Sequence, residues 1–150
     1  MSVAASADPS PIGYVIECRG AWVRAQIRSV ASVISVTGGL DGANVEAVLG
    51  HLSRFTTLGS PLIVDVDSAD IGDSAAFEHL LATFGAQCRR HSIEWVLVAK
   101  ADRCHLSPTD EQHVLHADSV AEGLQHFVWA SHARRNIPQA RKTRGSGRGR

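Results

Sequence analysis

The residues best suited to chemistry stand in one run: Asp67-Ser68-Ala69-Asp70-Ile71-Gly72-Asp73-Ser74-Ala75-Ala76-Phe77. A serine hydroxyl can accept a phosphoryl group, and a phosphoserine carries about −1.5 to −2 charge at pH 7. Ser74 stands where a loop enters a helix. A helix start offers unpaired backbone N–H groups and a positive partial charge, both of which favour an anion. Asp67, Asp70 and Asp73 lie close in sequence, and repulsion from them works the other way. Either way, a phosphate there would change the surface that a partner meets. The plainer reading is that Asp73 or Ser74 is only the helix cap, since Ser and Asp are the usual caps. A second polar turn reads Thr37-Gly38-Gly39-Leu40-Asp41-Gly42-Ala43-Asn44. Asp41 could cap the helix after it, and Gly38-Gly39 reads as a turn that ends a strand. It is not a phosphate-binding P-loop, because no Gly-Lys-Ser/Thr follows.

The other reactive residues make weaker constellations. Cys104, His105, His113 and His116 are ligand types in one stretch. His113 and His116 are three apart on an expected strand, however, and so face opposite sides. No Cys or His pair has zinc-finger spacing, so no metal is expected. Ser74 lacks a Gly-x-Ser-x-Gly elbow, so no catalytic residue, enzymatic activity or cofactor is expected. The three cysteines, Cys18, Cys88 and Cys104, are an odd number without a Cys-x-x-Cys pair. They read as reduced thiols of a cytoplasmic protein, with Cys88 in the core.

The elements that must position Ser74 follow from periodicity. Ala21 to Arg28 alternates apolar and polar residues, which predicts an edge strand with one face in the core. Tyr14 to Cys18 is a candidate strand before it. Ser32 to Thr37 is rich in β-branched residues and predicts a strand stopped by Gly38-Gly39. In Asp41 to Thr57 the period changes: Val45, Val48, Leu49, Leu52 and Phe55 share one helical face. Leu62 to Val66 predicts a central strand. Ser74 to Arg90 predicts a helix burying Phe77, Leu80, Leu81, Phe84 and Cys88, with Arg89 and Arg90 at the negative end of its dipole. Trp95 to Ala99 predicts the next buried strand, Lys100 to Gln112 a loop or short helix, and His113 to His116 a short last strand. Ser119-x-x-Glu122 is a capping box that opens a helix to His132, with Val120, Leu124, Phe127 and Val128 on its apolar face. The order β-β-α-β-α-β-(β)-α predicts an α/β fold, a mixed sheet of four to five strands with helices packed on it. Parallel crossovers then bring the loops at 38–42 and 67–74 to the same end of the sheet, the usual binding edge of open α/β sheets.

Charge divides the chain. Its 15 basic and 15 acidic residues cancel over 150 residues. Residues 1–133 hold every acid and 8 of the bases, a balance of −7, and residues 134–150 hold the other 7 bases, a balance of +7. A uniformly basic nucleic-acid binder is excluded; what is expected is a disordered leader at 1–12, a mildly acidic domain at 13–133 and a flexible basic tail at 134–150. The tail could hold nucleic acid or fold back on the acidic body, but without aromatic residues it reads first as a solvated end. No apolar run is long enough to span a bilayer, and the leader lacks the charged start and apolar centre of a secretory signal.

Taken together, the two loops have a family likeness. Val33 to Asn44 resembles the strand and "G-x-L/I-D" turn of STAS domains, as found in anti-sigma factor antagonists (anti-anti-sigma factors). Leu62 to Phe77 resembles their second hallmark, a buried strand ending in Asp, a short loop, then "D-S-x-G-L" at a helix start. The likeness covers about residues 20 to 130. It implies a STAS-like fold and a non-catalytic module of bacterial transcription regulation. Such a module binds an anti-sigma factor, often a Ser/Thr kinase, and thereby releases a sigma factor; phosphorylation ends the binding and a phosphatase restores it. Ser74 matches the phosphoacceptor. Asp41, Gly42, Asn44, Asp73, Ala75, Ala76 and Phe77 match the partner-binding surface. The sequence departs from the family at Ala76, where Gly is usual, and at Phe77, where Leu is usual. Two alternatives stand beside this reading: a STAS-like interaction or ligand-sensing module without the phospho-switch, and a nucleic-acid-associated protein acting through the tail. A homodimer is compatible with any of them.

Overall fold

The computed structural model describes residues 13–99 and 115–147. The first two strands, β1 (Gly13–Cys18) and β2 (Ala21–Ile27), form an antiparallel hairpin closed by Arg19 and Gly20. Both loop residues have positive φ, 51° and 102°. Such two-residue turns match the right-handed twist of the strands they join. β2 buries Ala21, Val23 and Ala25 on one side and exposes Trp22 and Arg24 on the other, as the alternation requires. It is not the edge strand that alternation suggested, because β1 pairs along its whole length.

β3 (Ser32–Leu40) pairs antiparallel with β2 and parallel with β4 (Leu62–Asp65). It runs past Gly38-Gly39 rather than stopping there. Gly38 keeps its place opposite Ala21 with φ 80°, where a Cβ would come within 2.3 Å of the Gly20 carbonyl oxygen. Only glycine suits that combination of φ and contact. The strand's last residues, Gly38 to Leu40, pair parallel with β5 (Ala69–Ile71). The sequence predicts plain loop at 67–74, since three residues are too few for a period to show. β6 (Trp95–Val98) and β7 (Leu115–Ala117) complete, among the described residues, a seven-stranded sheet of order β1-β2-β3-β4-β6-β7, with β5 on the end of β3. Four to five strands were expected.

Helix α1 (Val45–Ser53) continues into a 3-10 turn, Arg54–Thr57, so the predicted helix to Thr57 is in fact two pieces. Helix α2 spans Ser74–Arg90, matching its predicted limits. Both lie on one sheet face over a core that includes Ile34, Leu49, Leu52, Leu62, Leu80 and Phe84. Helix α3 (Val120–Gly147) covers the other face, where Phe127, Leu124 and Val120 pack on Val33, Ile63, Val96 and Val98. Gly123 lets α3 approach: a Cβ there would lie 3.2 Å from Ile63. Half of the capping box forms as read, Glu122 N–H donating to Ser119 Oγ at 3.1 Å; the Glu122 carboxylate accepts instead from Asp118 N–H, one residue before the cap, at 2.7 Å.

Two expectations for the C-terminal region change. Val128 is exposed rather than on the apolar face. The helix also does not stop at His132: its backbone continues to Gly147, into the segment expected to be a flexible tail. This backbone runs through Pro138, where proline is ordinarily disfavoured inside a helix. The leader at 1–12 and the segment 100–114, with Cys104, His105 and His113, lie outside the described residues.

Candidate functional site

The site is built where β3 and β4 end and α1 and α2 begin. Asp41 turns the chain out of β3: its Oδ1 accepts from Ala43 N–H at 2.8 Å and Asn44 N–H at 3.3 Å, and its carbonyl oxygen accepts from Val45 N–H at 3.0 Å. It therefore organises the turn into α1, while Asn44 is the residue that stands at the N-cap without capping through its side chain. Asn44 has another task. Its side chain is fully buried and bonds in three directions. Oδ1 accepts from Asp41 N–H at 3.0 Å, and Nδ2 donates to the carbonyl oxygens of Gly39 at 2.7 Å and Arg19 at 3.2 Å. One amide thus ties the β1–β2 turn, the end of β3 and the start of α1 together.

The second loop is fastened to the first by main chain. Gly72 N–H donates to the Leu40 carbonyl at 3.1 Å, extending the pairing of β5 with β3. This brings Asp73 beside Gly42, where a Cβ on Gly42 would lie 3.5 Å from Asp73 Oδ2. Asp73 is the N-cap of α2, in extended conformation, and its Oδ1 accepts from Ala75 N–H at 3.0 Å and Ala76 N–H at 3.3 Å. Between the two cap readings of the sequence, the structure selects Asp73. Ser74 is the first residue of the helix and is exposed.

The candidate residues therefore divide. Asp41, Gly42, Ser74 and Ala75 are exposed and Asp73 is half-buried, all at one end of the sheet. Asn44, Ala76 and Phe77 are buried, so they shape this end from beneath and cannot offer their side chains to a partner. The sequence marked Asn44 only by its place after the turn; its role as a buried tie depends on the Arg19 carbonyl, 25 residues away, which no local pattern reveals. Below the exposed residues, His79 of α2 and Glu46 of α1 meet at 2.7 Å and join the two helices at the surface. His116, expected on the last strand, is exposed on β7 and far in sequence from this end.

The N–H groups of Ala75 and Ala76, which a phosphate could have used, already bond to Asp73. A phosphate at Ser74 would have to compete with the Asp73 carboxylate for these N–H groups.

A family model described as STAS domain matches residues 22–105 of this chain. The chain is 30% identical over 96 residues to Osmosensory protein A of Mycobacterium tuberculosis, an alignment covering 64% of this chain. It spans 60% of the length of that curated relative. Among solved structures, an anti-sigma factor antagonist from Mycobacterium paratuberculosis superposes with a TM-score of 0.60 at 16% identity, over 80% of this chain and 97% of that one. The STAS domain of an antisigma-factor antagonist from Rhodobacter sphaeroides superposes with a TM-score of 0.50 at 20% identity, over 58% of this chain and 95% of that one. At such identities these structures establish the likeness of fold.

Proposed function

This chain belongs to the STAS-domain family, and from that premise we propose that it is an anti-sigma factor antagonist switched at Ser74. In this reading the exposed end formed by Asp41, Gly42, Asp73, Ser74 and Ala75 binds an anti-sigma factor, which gives up its sigma factor to RNA polymerase. The module has no chemistry of its own; a Ser/Thr kinase, which can be the anti-sigma factor itself, supplies the phosphate, and a phosphatase removes it. Binding takes place in the cytoplasm, where the transcription machinery is. The relative named for osmosensing suggests that the input is a stress. The observation that carries the reading is the exposure of Ser74 directly after a capping carboxylate, on an end held rigid by Asn44 and by the β3–β5 pairing.

Burial at Ala76 and Phe77 bears on the two departures from the family pattern. Neither side chain lies on the surface, so the methyl group of Ala76 does not obstruct a kinase directly. The test incubates the protein with a candidate anti-sigma kinase and ATP and reads intact mass. One added phosphate on the wild type and none on Ser74→Ala supports the switch. Tight binding of the anti-sigma factor without any phosphorylation would instead favour a constitutive module.

A further inference from the structure

Among the described residues, the outer edge of the sheet has no strand paired with it. β1 reads Gly13-Tyr14-Val15-Ile16-Glu17-Cys18, and among the described residues it pairs only with β2. In an antiparallel pair, hydrogen-bonded and non-hydrogen-bonded positions alternate. The closing pair of a two-residue hairpin, here Cys18 with Ala21, is a bonded one. Cys18, Ile16 and Tyr14 therefore direct their N–H and C=O groups toward β2, whereas Gly13, Val15 and Glu17 direct theirs outward. Natural edges are commonly blunted by lysine, proline or a bulge. β1 has none of these and carries a single charge, Glu17.

We propose that this edge pairs antiparallel with the same edge of a second copy of the chain, about a two-fold axis at Val15. The strand is self-complementary in that register. Glu17 falls opposite the partner's Gly13, so its charge meets no like charge, and Val15 falls opposite the partner's Val15. The outward main-chain groups of all three residues are then bonded. Side chains on both faces benefit as well. On the face shared with α3, Val15 is 44% exposed and Trp22, on the neighbouring strand opposite Glu17, is 48% exposed. The axis brings both copies' valines together at its centre, with Arg24 flanking each valine on β2 and Trp22 beside Glu17 on the same face. On the other face, Tyr14 and Ile16 are only partly buried at the rim of the core. There Tyr14 falls opposite the partner's Ile16, and Ile16 opposite the partner's Tyr14. A two-fold contact of this kind closes on itself and does not propagate into fibres.

The inference is independent of the anti-sigma reading, because it uses only β1 and its neighbour. Sedimentation velocity on the full chain at increasing concentration tests it, with Val15→Pro and Val15→Lys alongside. The proline removes one outward N–H without breaking the ladder to β2. The lysine keeps every main-chain donor and sets two ammonium groups against each other across the axis. The wild type should sediment as a dimer, and each variant should weaken association by about tenfold or more while its far-UV circular dichroism stays unchanged. If Val15→Pro proves unfolded, Val15→Lys decides, since it alters only an exposed side chain. A wild type that remains monomeric at every concentration, as it would if residues 1–12 covered the edge, overturns the proposal. So does a folded Val15→Lys that dimerises as the wild type does.

Discussion

Asp73 caps the helix that Ser74 begins, and Asn44 ties together the turn that faces it. Asp73 satisfies the first N–H groups of α2, leaving the serine hydroxyl outside and unneeded for the helix. Phosphorylation at such a position adds charge to a surface without removing a cap, so a switch there acts on partners and leaves the fold intact. Asn44 holds the facing turn. Asn44→Ala leaves the Gly39 and Arg19 carbonyls and the Asp41 N–H without their partner, at a cost of about 2–4 kcal/mol. Urea denaturation should show that loss, while Ser74→Ala should leave the midpoint unchanged. Cys88 is inert by its surroundings: burial pushes its thiol from near 9 up to about 12, against a smaller lowering by Arg89. In the unfolded chain this thiol ionises near pH 9, whereas in the folded chain it keeps its proton until about pH 12. Its contribution to stability is therefore full below pH 9 and is lost as the pH rises from there. Wild type should lose more stability than Cys88→Ala between pH 8 and pH 10.5, measured by urea midpoints. Native Cys88 should also resist alkylation at pH 8, although the unfolded chain reacts.

Among the elements, those with a long repeating pattern were legible in the sequence. The limits of α2 follow from Asp73, the spacing of Phe77 to Cys88 and the arginines at its end. The capping box of α3 and the buried strands at 62 and 95 were readable for the same reason, since side-chain period and cap chemistry are local. What was hidden is non-local. β5 is three residues long and exists because Gly38 to Leu40 extend the central strand beyond an apparent turn. Gly38-Gly39 looked like a stop because glycine marks both turns and close backbone approach, and only the neighbouring hairpin distinguishes them. Gly38→Ala tests that distinction: a Cβ against the Gly20 carbonyl, at a positive φ, should cost about 3 kcal/mol or more. Its thermal midpoint should fall clearly, whereas Gly39→Ala, with open space at its Cβ, should fall less.

At the scale of the whole molecule, zero net charge conceals two parts, a body of −7 and a C-terminal stretch of +7. The sequence assigned that stretch to flexible chain, yet α3 carries helical backbone into it as far as Gly147. The described contacts of α3 with the sheet come from Val120, Gly123, Leu124 and Phe127, all before residue 134. Removing residues 134–150 takes away seven bases and no acid and should shift the isoelectric point strongly downward. If the basic end holds nucleic acid, the full chain should retard it in a gel at low salt, the truncated chain should not, and the difference should vanish as salt rises. The switch proposed for this protein lies at the opposite feature, the acidic end of the sheet at Ser74. The most direct measurement is the calorimetric affinity of a co-purified anti-sigma factor for the unmodified protein, for the Ser74-phosphorylated protein and for Ser74→Ala. Tight binding is expected of the unmodified protein and of Ser74→Ala, with a weakening of about tenfold or more on phosphorylation. Equal affinities for the phosphorylated and unmodified proteins would contradict it.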